Sequence, residues 1–445
     1  MKFKSFTLRE LLLESRDGDW GKNQPKEGHT PYRVIRGGDF PDVENGFISK
    51  VPRCYLKEST VSRRTLQPDD LIIETAGGTR DRPTGRVIYI SEEVLNKFDL
   101  PTTCASFARF LRLDSDKVNP KYIFWLLRLM HKRGEMWKHQ LQHTGVARFQ
   151  FTQFADSEPL LIPERVYQDR IVSFLDSLTD KLLVNRRMNR TLEAMAQAIF
   201  KCWFVDFEPV KAKQQARAAG ESVQMAAMMA LSGKSAAEIE QLPAAQQTSL
   251  AETAALFPER LVASELRLIP EGWEIGTISD LFELHRGFDL PKAKRVETGD
   301  VPVYSAGGIH SNHNESKVSA PGVVTGRSGV IGNVFISLKD FWPLNTTLYV
   351  REFRACGPYY AFHFLQTLDL PTLNSGSAVP SLNRNFVHSQ PASIPPNVLK
   401  TVFENQAEKL FLLIKQNEQQ AQSLAEIRDA LLPKLLSGEL SVEAV

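Results

Sequence analysis

The densest group of side chains that could do chemistry lies between Lys121 and Arg148. Lys121, Arg128, Lys132, Arg133, Lys138 and Arg148 are set against one acid, Glu135, with His131, His139, His143, Gln140, Gln142 and Trp137 among them. Lys and Arg neutralise phosphates, while Arg and Gln can hydrogen-bond base edges, so this composition suits nucleic acid. It suits the solvated face of a surface helix equally well, and composition leaves both readings open. A second candidate, Gly233-Lys234-Ser235, has the closing residues of a phosphate-binding loop. That loop needs a glycine five residues before Gly233, where Met228 stands, and a preceding strand, where the chain is rich in alanine. The match is rejected.

Other chemistry is missing. Gly326, Gly329 and Gly332 do not fit the GxGxxG spacing and, with β-like runs on both sides, suit a tight strand–loop–strand. Asn119-Pro120-Lys121-Tyr122 approaches the Asn-Pro-Pro-aromatic motif of amino-methyltransferases, but the second proline and a glycine-rich cofactor loop are absent, and a helix start explains Asn-Pro. No HExxH, GxSxG or nuclease-type carboxylate cluster stands out. The four cysteines, Cys54, Cys104, Cys202 and Cys356, are far apart and have no ligand spacing, so neither a disulfide framework nor a zinc site is expected. The chain is expected to carry no catalytic residue, no metal and no cofactor of its own. Met1-Lys2-Phe3-Lys4 leads into a short amphipathic segment without a signal-type core, and no apolar run is long enough to span a membrane, so the expected place is the cytoplasm.

The elements that would position any site repeat themselves. A seam of Ile171, Leu175, Leu178, Leu182, Leu192, Met195, Ile199 and Trp203 has the three- and four-residue steps of a coiled coil. So does Val402, Leu410, Ile414, Ala421, Leu424, Ile427, Leu431 and Leu435. Leu178 and Leu410, Leu182 and Ile414, and Leu192 and Leu424 are each 232 apart, as are the seam asparagines Asn185 and Asn417. Upstream, Phe154, Pro159 and Ile162-Pro163 recur at the same spacing as Phe386, Pro391 and Ile394-Pro395, and Gly145 and Ala147 recur 231 on as Gly376 and Ala378. A fixed-period match of this kind marks a duplicated architecture.

At 445 residues, 42% hydrophobic and 24% charged with a net charge of +2, the chain has room for two to four domains of ordinary composition. The reading is α+β: globular mixed α/β units over 1–163 and 263–396, a long helix over 164–209 ended by Pro209, an Ala/Gln-rich linker over 210–262 with one or two short helices, and a second long helix over 397–445. In the first unit Phe6 to Leu13 has helical spacing, and strands are expected at Tyr32–Ile35, Leu71–Glu74, Arg86–Ile90 and Phe107–Leu113. In the second, Ile278 to Leu284 is loosely helical, with strands at Val301–Tyr304, Gly322–Thr325, Val334–Ile336 and Leu348–Val350 and a helix from Tyr359 to Leu368. Two helices of about 40 residues are roughly 60 Å long. Packed antiparallel, they would hold the units at opposite ends with pseudo-twofold symmetry.

The chain resembles the specificity subunits of type I restriction–modification enzymes over nearly its whole length. The resemblance rests on the two Gly-x-Ala … Ile-Pro … long-helix segments, on Cys202-Trp203-Phe204-Val205-Asp206-Phe207-Glu208-Pro209, and on Phe257-Pro258-Glu259-Arg260-Leu261-Val262 with Ile269-Pro270-Glu271-Gly272-Trp273. It implies two target-recognition domains, each reading one half of an asymmetric bipartite sequence in double-stranded DNA. It further implies a coiled coil that docks two methyltransferase subunits, through which motor–nuclease subunits join, with S-adenosylmethionine, ATP and Mg on those partners and a non-catalytic role here in phage defence. Tyr167-Gln168-Asp169-Arg170 opens the first helix loosely as in the family, whereas Lys400-Thr401 stands at the corresponding place of the second.

Recognition domains of the family vary, so candidate DNA-binding residues are chosen as polar side chains in Gly-rich or basic loops. They are Thr79, Arg80 and Arg82; Gln142, Arg148 and Gln150; Arg327 and Ser328; Asn345 and Thr346; Asn383 and Arg384. Arg can hold guanine bidentately and Asn or Gln adenine; each could instead cap a turn, touch a phosphate or form an ion pair. Two other functions stay open: a coiled-coil scaffold that binds no DNA, and a degenerate stand-alone DNA methyltransferase, which S-adenosylmethionine binding by the isolated chain would indicate.

Overall fold

A computed structural model describes residues 1–78, 83–143, 146–296, 298–376 and 379–441. The chain divides into two units, Met1–Asn185 with Gln420–Val445, and Arg186–Gln419, so the division falls inside both long helices.

In the first unit, alternating apolar residues build an antiparallel four-stranded sheet in the order Leu12–Asp17, Ala108–Leu113, Leu71–Glu74, Val87–Tyr89. Beside it a three-stranded sheet runs Arg53–Lys57, His29–Ile35, Thr102–Cys104, its last pair parallel. Phe3–Thr7 pairs with Pro159–Pro163, Phe3 opposite Pro163. The helix Pro120–Lys132 starts where Asn-Pro predicts, with the Asn119 carboxamide oxygen accepting from the Lys121 and Tyr122 amides. Its Tyr122 and Trp125 enter a core with Phe154, Ile171 and Leu175, which Leu432, Leu435 and Leu436 of the second long helix complete.

The second unit repeats that plan. Its four-stranded sheet runs Phe282–Arg286, Thr347–Phe353, Gly322–Gly326, Val334–Ser337, and its three-stranded sheet Gly308–His313, Val301–Ser305, Trp342–Pro343. Glu274–Thr277 pairs with Pro391–Ile394. The helix Pro358–Thr367 packs Tyr359, Tyr360 and Phe362 with Phe200, Phe403 and Phe411 of the long helices and with Phe204 just beyond the first of them.

The long helices span Arg165–Phe200 and Asn397–Ser437. In the first unit Asn185 donates to Gln420 at 2.9 Å while Leu175 shares a core with Leu432 and Leu435. In the second, Asn417 donates to Asn189 at 2.8 Å while Phe200 meets Phe403. In each unit the partner number falls as the residue number rises, so the helices pack antiparallel, with the expected asparagines in the seam. Two seam assignments are corrected: Met195 and Ile427 are 48% and 47% exposed, and Ala196 and Phe200 fill the first seam instead. The two misplaced residues are themselves 232 apart, so the same slip of the straight-helix period against a heptad occurs twice.

Three local expectations also change. Leu8–Leu11 and Ile278–Leu281 are single helical turns between strands, each with a capping box (Thr7 with Glu10, Thr277 with Asp280). Pro209 does not end the first long helix. A π-helical turn Lys201–Val205 and Phe207 at φ 55° do, and Pro209 lies in the first turn of the next helix. The stretch expected to hold one or two short helices holds four, Glu208–Ala219, Val223–Ser232, Ala236–Glu240 and Ala244–Ala255, around Ala227, Met228, Ile239 and Ala254. Gly233 there caps one helix at φ 67° and Ser235 caps the next, which accounts for the phosphate-loop look-alike.

Candidate nucleic-acid interface

The basic run does not form a free cationic surface. Lys121 pairs with Asp176 at 2.8 Å, Lys132 with Asp429 at 2.8 Å, Lys138 with Glu158 at 2.7 Å, and Arg128 with Glu44. Buried His139 meets the other Glu158 oxygen at 2.9 Å. Their acids come from distant sequence, so local composition overstated the positive charge. Lys138 and His139 together hold the Glu158 carboxyl below its ordinary value against the opposing effect of burial. Arg148 is the exception: it is exposed and forms no ion pair among the described residues.

Arg148 lies on Val146–Phe149, the middle strand between Gln140–His143 and Ala76–Gly78, and is opposite Ala76. Gln142 occupies the neighbouring strand, its backbone opposite Ala147. Half-buried Gln150 precedes the helix Phe151–Ser157, and its amide donates to the His139 carbonyl at 2.7 Å. Thr79, Arg80 and Arg82 lie outside the described residues. The described residues that follow them are tied to the sheets. Arg86 donates to both oxygens of buried Glu74 at 2.8 and 2.7 Å and to the Gly37 carbonyl at 2.9 Å, and the Gln140 side chain accepts from the Thr84 amide at 2.8 Å.

All six second-unit candidates gather at one end of the two inner strands of the four-stranded sheet. The Arg327 guanidinium donates to the Asn345 carbonyl at 3.2 Å, and the Arg327 and Ser328 amides donate to the Thr346 carbonyl at 2.8 and 3.1 Å. The Leu382 amide donates to the Arg327 carbonyl, and Ser328 bridges Ser381, which brings Asn383 and Arg384 alongside. The Asn383 side chain caps the helix Arg384–His388, a structural task that accounts for it locally. Asn345 donates to the Asp289 carboxylate, and the buried Thr346 hydroxyl has no partner among the described residues. Both face a cavity of about 500 Å³ shared with Lys292, Arg295, Ser305 and His310. Sequence reading missed the cavity's basic side chains, although Lys292-Ala293-Lys294-Arg295 is a readable basic run.

The two edges are built on one backbone frame. In the first unit the Gly18 amide donates to the Ala108 carbonyl and the Thr75 and Ala76 amides to that of Phe107. In the second, the Gly287 amide donates to the Thr347 carbonyl and the Arg327 and Ser328 amides to that of Thr346. A Cβ on Gly18 would stand 1.9 Å from the Cys104 oxygen, and one on Gly287 2.2 Å from the Leu344 oxygen. Only glycine permits that approach in either place.

The family described as "Type I restriction modification DNA specificity domain" matches residues 270–428. Among curated relatives, the type I restriction enzyme HindI specificity subunit of Haemophilus influenzae is 28% identical over 361 residues, covering 73% of this chain and 78% of that one. The chain belongs to the specificity subunits of type I restriction–modification systems. The MjaIX specificity subunit of Methanocaldococcus jannaschii is 22% identical across 96% of this chain and 94% of its own. The crystal structure of an S subunit from M. genitalium covers 98% of this chain and 96% of its own at 15% identity with a TM-score of 0.49; the sequence relationships carry the assignment. As a specificity subunit, the protein is the non-catalytic, DNA target-specifying member of such a system. No helix among the described residues is long and apolar enough to cross a membrane, and no group of three or more His, Cys, Asp or Glu among them could hold a metal ion.

Proposed function

We propose that this specificity subunit reads an asymmetric bipartite target in double-stranded DNA. Residues 1–163 form one target-recognition domain and 263–396 the other, the segments 164–209 and 397–445 that carry the long helices are docking edges for two methyltransferase subunits, and 210–262 links the halves. Motor–nuclease subunits join through those partners, which bind S-adenosylmethionine, ATP and Mg, and the assembly works in the cytoplasm. The observation that carries this reading is the shared frame at Gly18 and Gly287, which presents unlike side chains in the two units. One frame with two sets of contacts suits two unlike half-sites better than a palindrome.

The proposed contacts are Thr79, Arg80, Arg82, Gln142, Arg148 and Gln150 for one half-site, and Arg327, Ser328, Asn345, Thr346, Asn383 and Arg384 for the other. The test is co-expression with the modification subunit and single-molecule mapping of adenine methylation across a host genome. One asymmetric bipartite motif is expected. Arg327→Ala should relax a single half-site by about 1–3 kcal/mol; an equal loss on all sequences would make Arg327 a phosphate anchor. A stable complex with no new motif would favour the scaffold reading, and S-adenosylmethionine bound by the isolated chain the methyltransferase reading.

A further inference from the structure

Where the two edges share a frame they differ in chemistry. Asp289 stands two residues after Gly287, as Trp20 stands two after Gly18. Thr346 supplies the carbonyl that receives two amides in the second unit, as Phe107 does in the first. The second unit thus places a carboxylate, the Asn345 carboxamide and a hydroxyl where the first places two aromatic rings. Those rings meet edge to face with centroids 5.6 Å apart. Trp20 is 43% exposed and Phe107 50%. The packed cores of the first unit contain neither residue. An exposed pair of large aromatic rings gains little for the fold and is a feature of contact surfaces.

The surroundings suit a polyanion. The Ala76 amide donates to the Phe107 carbonyl, and Ala76 is the register partner of Arg148, the exposed arginine that forms no ion pair among the described residues. The nearest acid along the chain, Asp19, is neutralised by Arg64 at 2.9 Å. An apolar platform and an exposed cation therefore flank one short strand. Thymine is the base that presents a methyl group in the major groove, where apolar side chains read it. We infer that Trp20 and Phe107 contact a thymine methyl, so that the first half-site is read through an aromatic surface at the place where the second is read through polar groups. This inference rests on the DNA-reading function proposed above.

The assembled complex of the full chain with its modification subunit is the material for the test, and the probe is duplex DNA carrying the mapped motif. Thymines are replaced by deoxyuridine one at a time, which removes only the methyl. In the half-site left intact by Arg327→Ala, one replacement should weaken wild-type binding roughly tenfold. Phe107→Ala and Trp20→Ala should each abolish most of that penalty and relax the methylation motif at the same position, with the other half-site unchanged. The unaltered half-site reports that the variants fold and assemble. The inference is overturned if no deoxyuridine in that half-site weakens wild-type binding, or if the penalty survives both substitutions. It is also overturned if the variants lose the modification subunit, and with it methylation at every position, which would make the pair a protein contact. Absence of any motif in the wild type would instead sink the DNA-reading function itself.

Discussion

Glu404 gives the sharpest physical prediction. From the second long helix its carboxylate accepts from the Tyr360 amide at 2.6 Å and the Tyr359 amide at 3.3 Å, at the N-terminus of the helix Pro358–Thr367. A carboxylate there is favoured by the helix dipole and the two donors. Burial outweighs them, with Glu408 one turn on adding repulsion, and pushes Glu404 from its ordinary 4.5 up to about 7. A carboxyl whose value is raised on folding holds its proton more tightly in the folded state. Its contribution to stability is therefore full below about 4.5, declines as pH rises from there to about 7, and is flat above. Over that window the decline amounts to about 3 kcal/mol. Glu404→Gln keeps an acceptor oxygen and removes the titration. Hydrogen exchange over 358–367, compared between wild type and E404Q across the neutral and mildly acidic range, reads the difference locally. Protection of the wild-type helix should fall relative to the variant by about two orders of magnitude across the window, about the size of that free energy. Parallel profiles at every pH would refute the reasoning. A wild type that gained protection as pH rose would show that the helix terminus, not burial, governs this carboxyl.

Two further perturbations follow from the frame and the buried charges. Arg112 holds the fully buried Asp70 carboxylate through two hydrogen bonds of 2.9 and 2.8 Å, and Arg112→Met should cost about 3–5 kcal/mol in urea unfolding at neutral pH. Burial already raises Asp70 above its ordinary value, so the penalty should shrink as pH falls and Asp70 takes up a proton; a penalty equal at mildly acidic and neutral pH would assign the loss to packing alone. Gly18→Ala and Gly287→Ala each force a methyl against a carbonyl oxygen. Each should degrade one half of the methylation motif and leave the other intact, and loss of both halves from one substitution would rule out independent readers.

The duplication was legible because a coiled-coil seam is a strong periodic signal and the same seam occurs twice. The strands at Leu71–Glu74 and Ala108–Leu113 were legible for the same reason: their apolar patterns are unambiguous. Single helical turns such as Leu8–Leu11 were not, since a run of leucines fits a strand–turn–strand as well as a helix. The insert after Phe207 was underestimated because its core is alanine and methionine, which contrast weakly with a linker. At the candidate edge, the loop positions in the second unit could be chosen from turn chemistry, and they do gather. Ion pairing of the basic run with Glu44, Glu158, Asp176 and Asp429 could not be read, since no local pattern announces partners so far away. The meeting of Trp20 with Phe107 was hidden for the same reason.

One further consequence lies in the order of synthesis. The second unit, Arg186–Gln419, is a single uninterrupted stretch, whereas the first needs Gln420–Val445 as well as Met1–Asn185. Leu432, Leu435 and Leu436 fill the core around Tyr122 and Leu175, and Phe3 lies against Gly438. On the ribosome the earlier-made unit therefore waits, with an apolar face uncovered, until the later-made one has emerged entire. Completion runs opposite to translation, and a released chain truncated just after Gln419 would hold a finished second unit and an open first one.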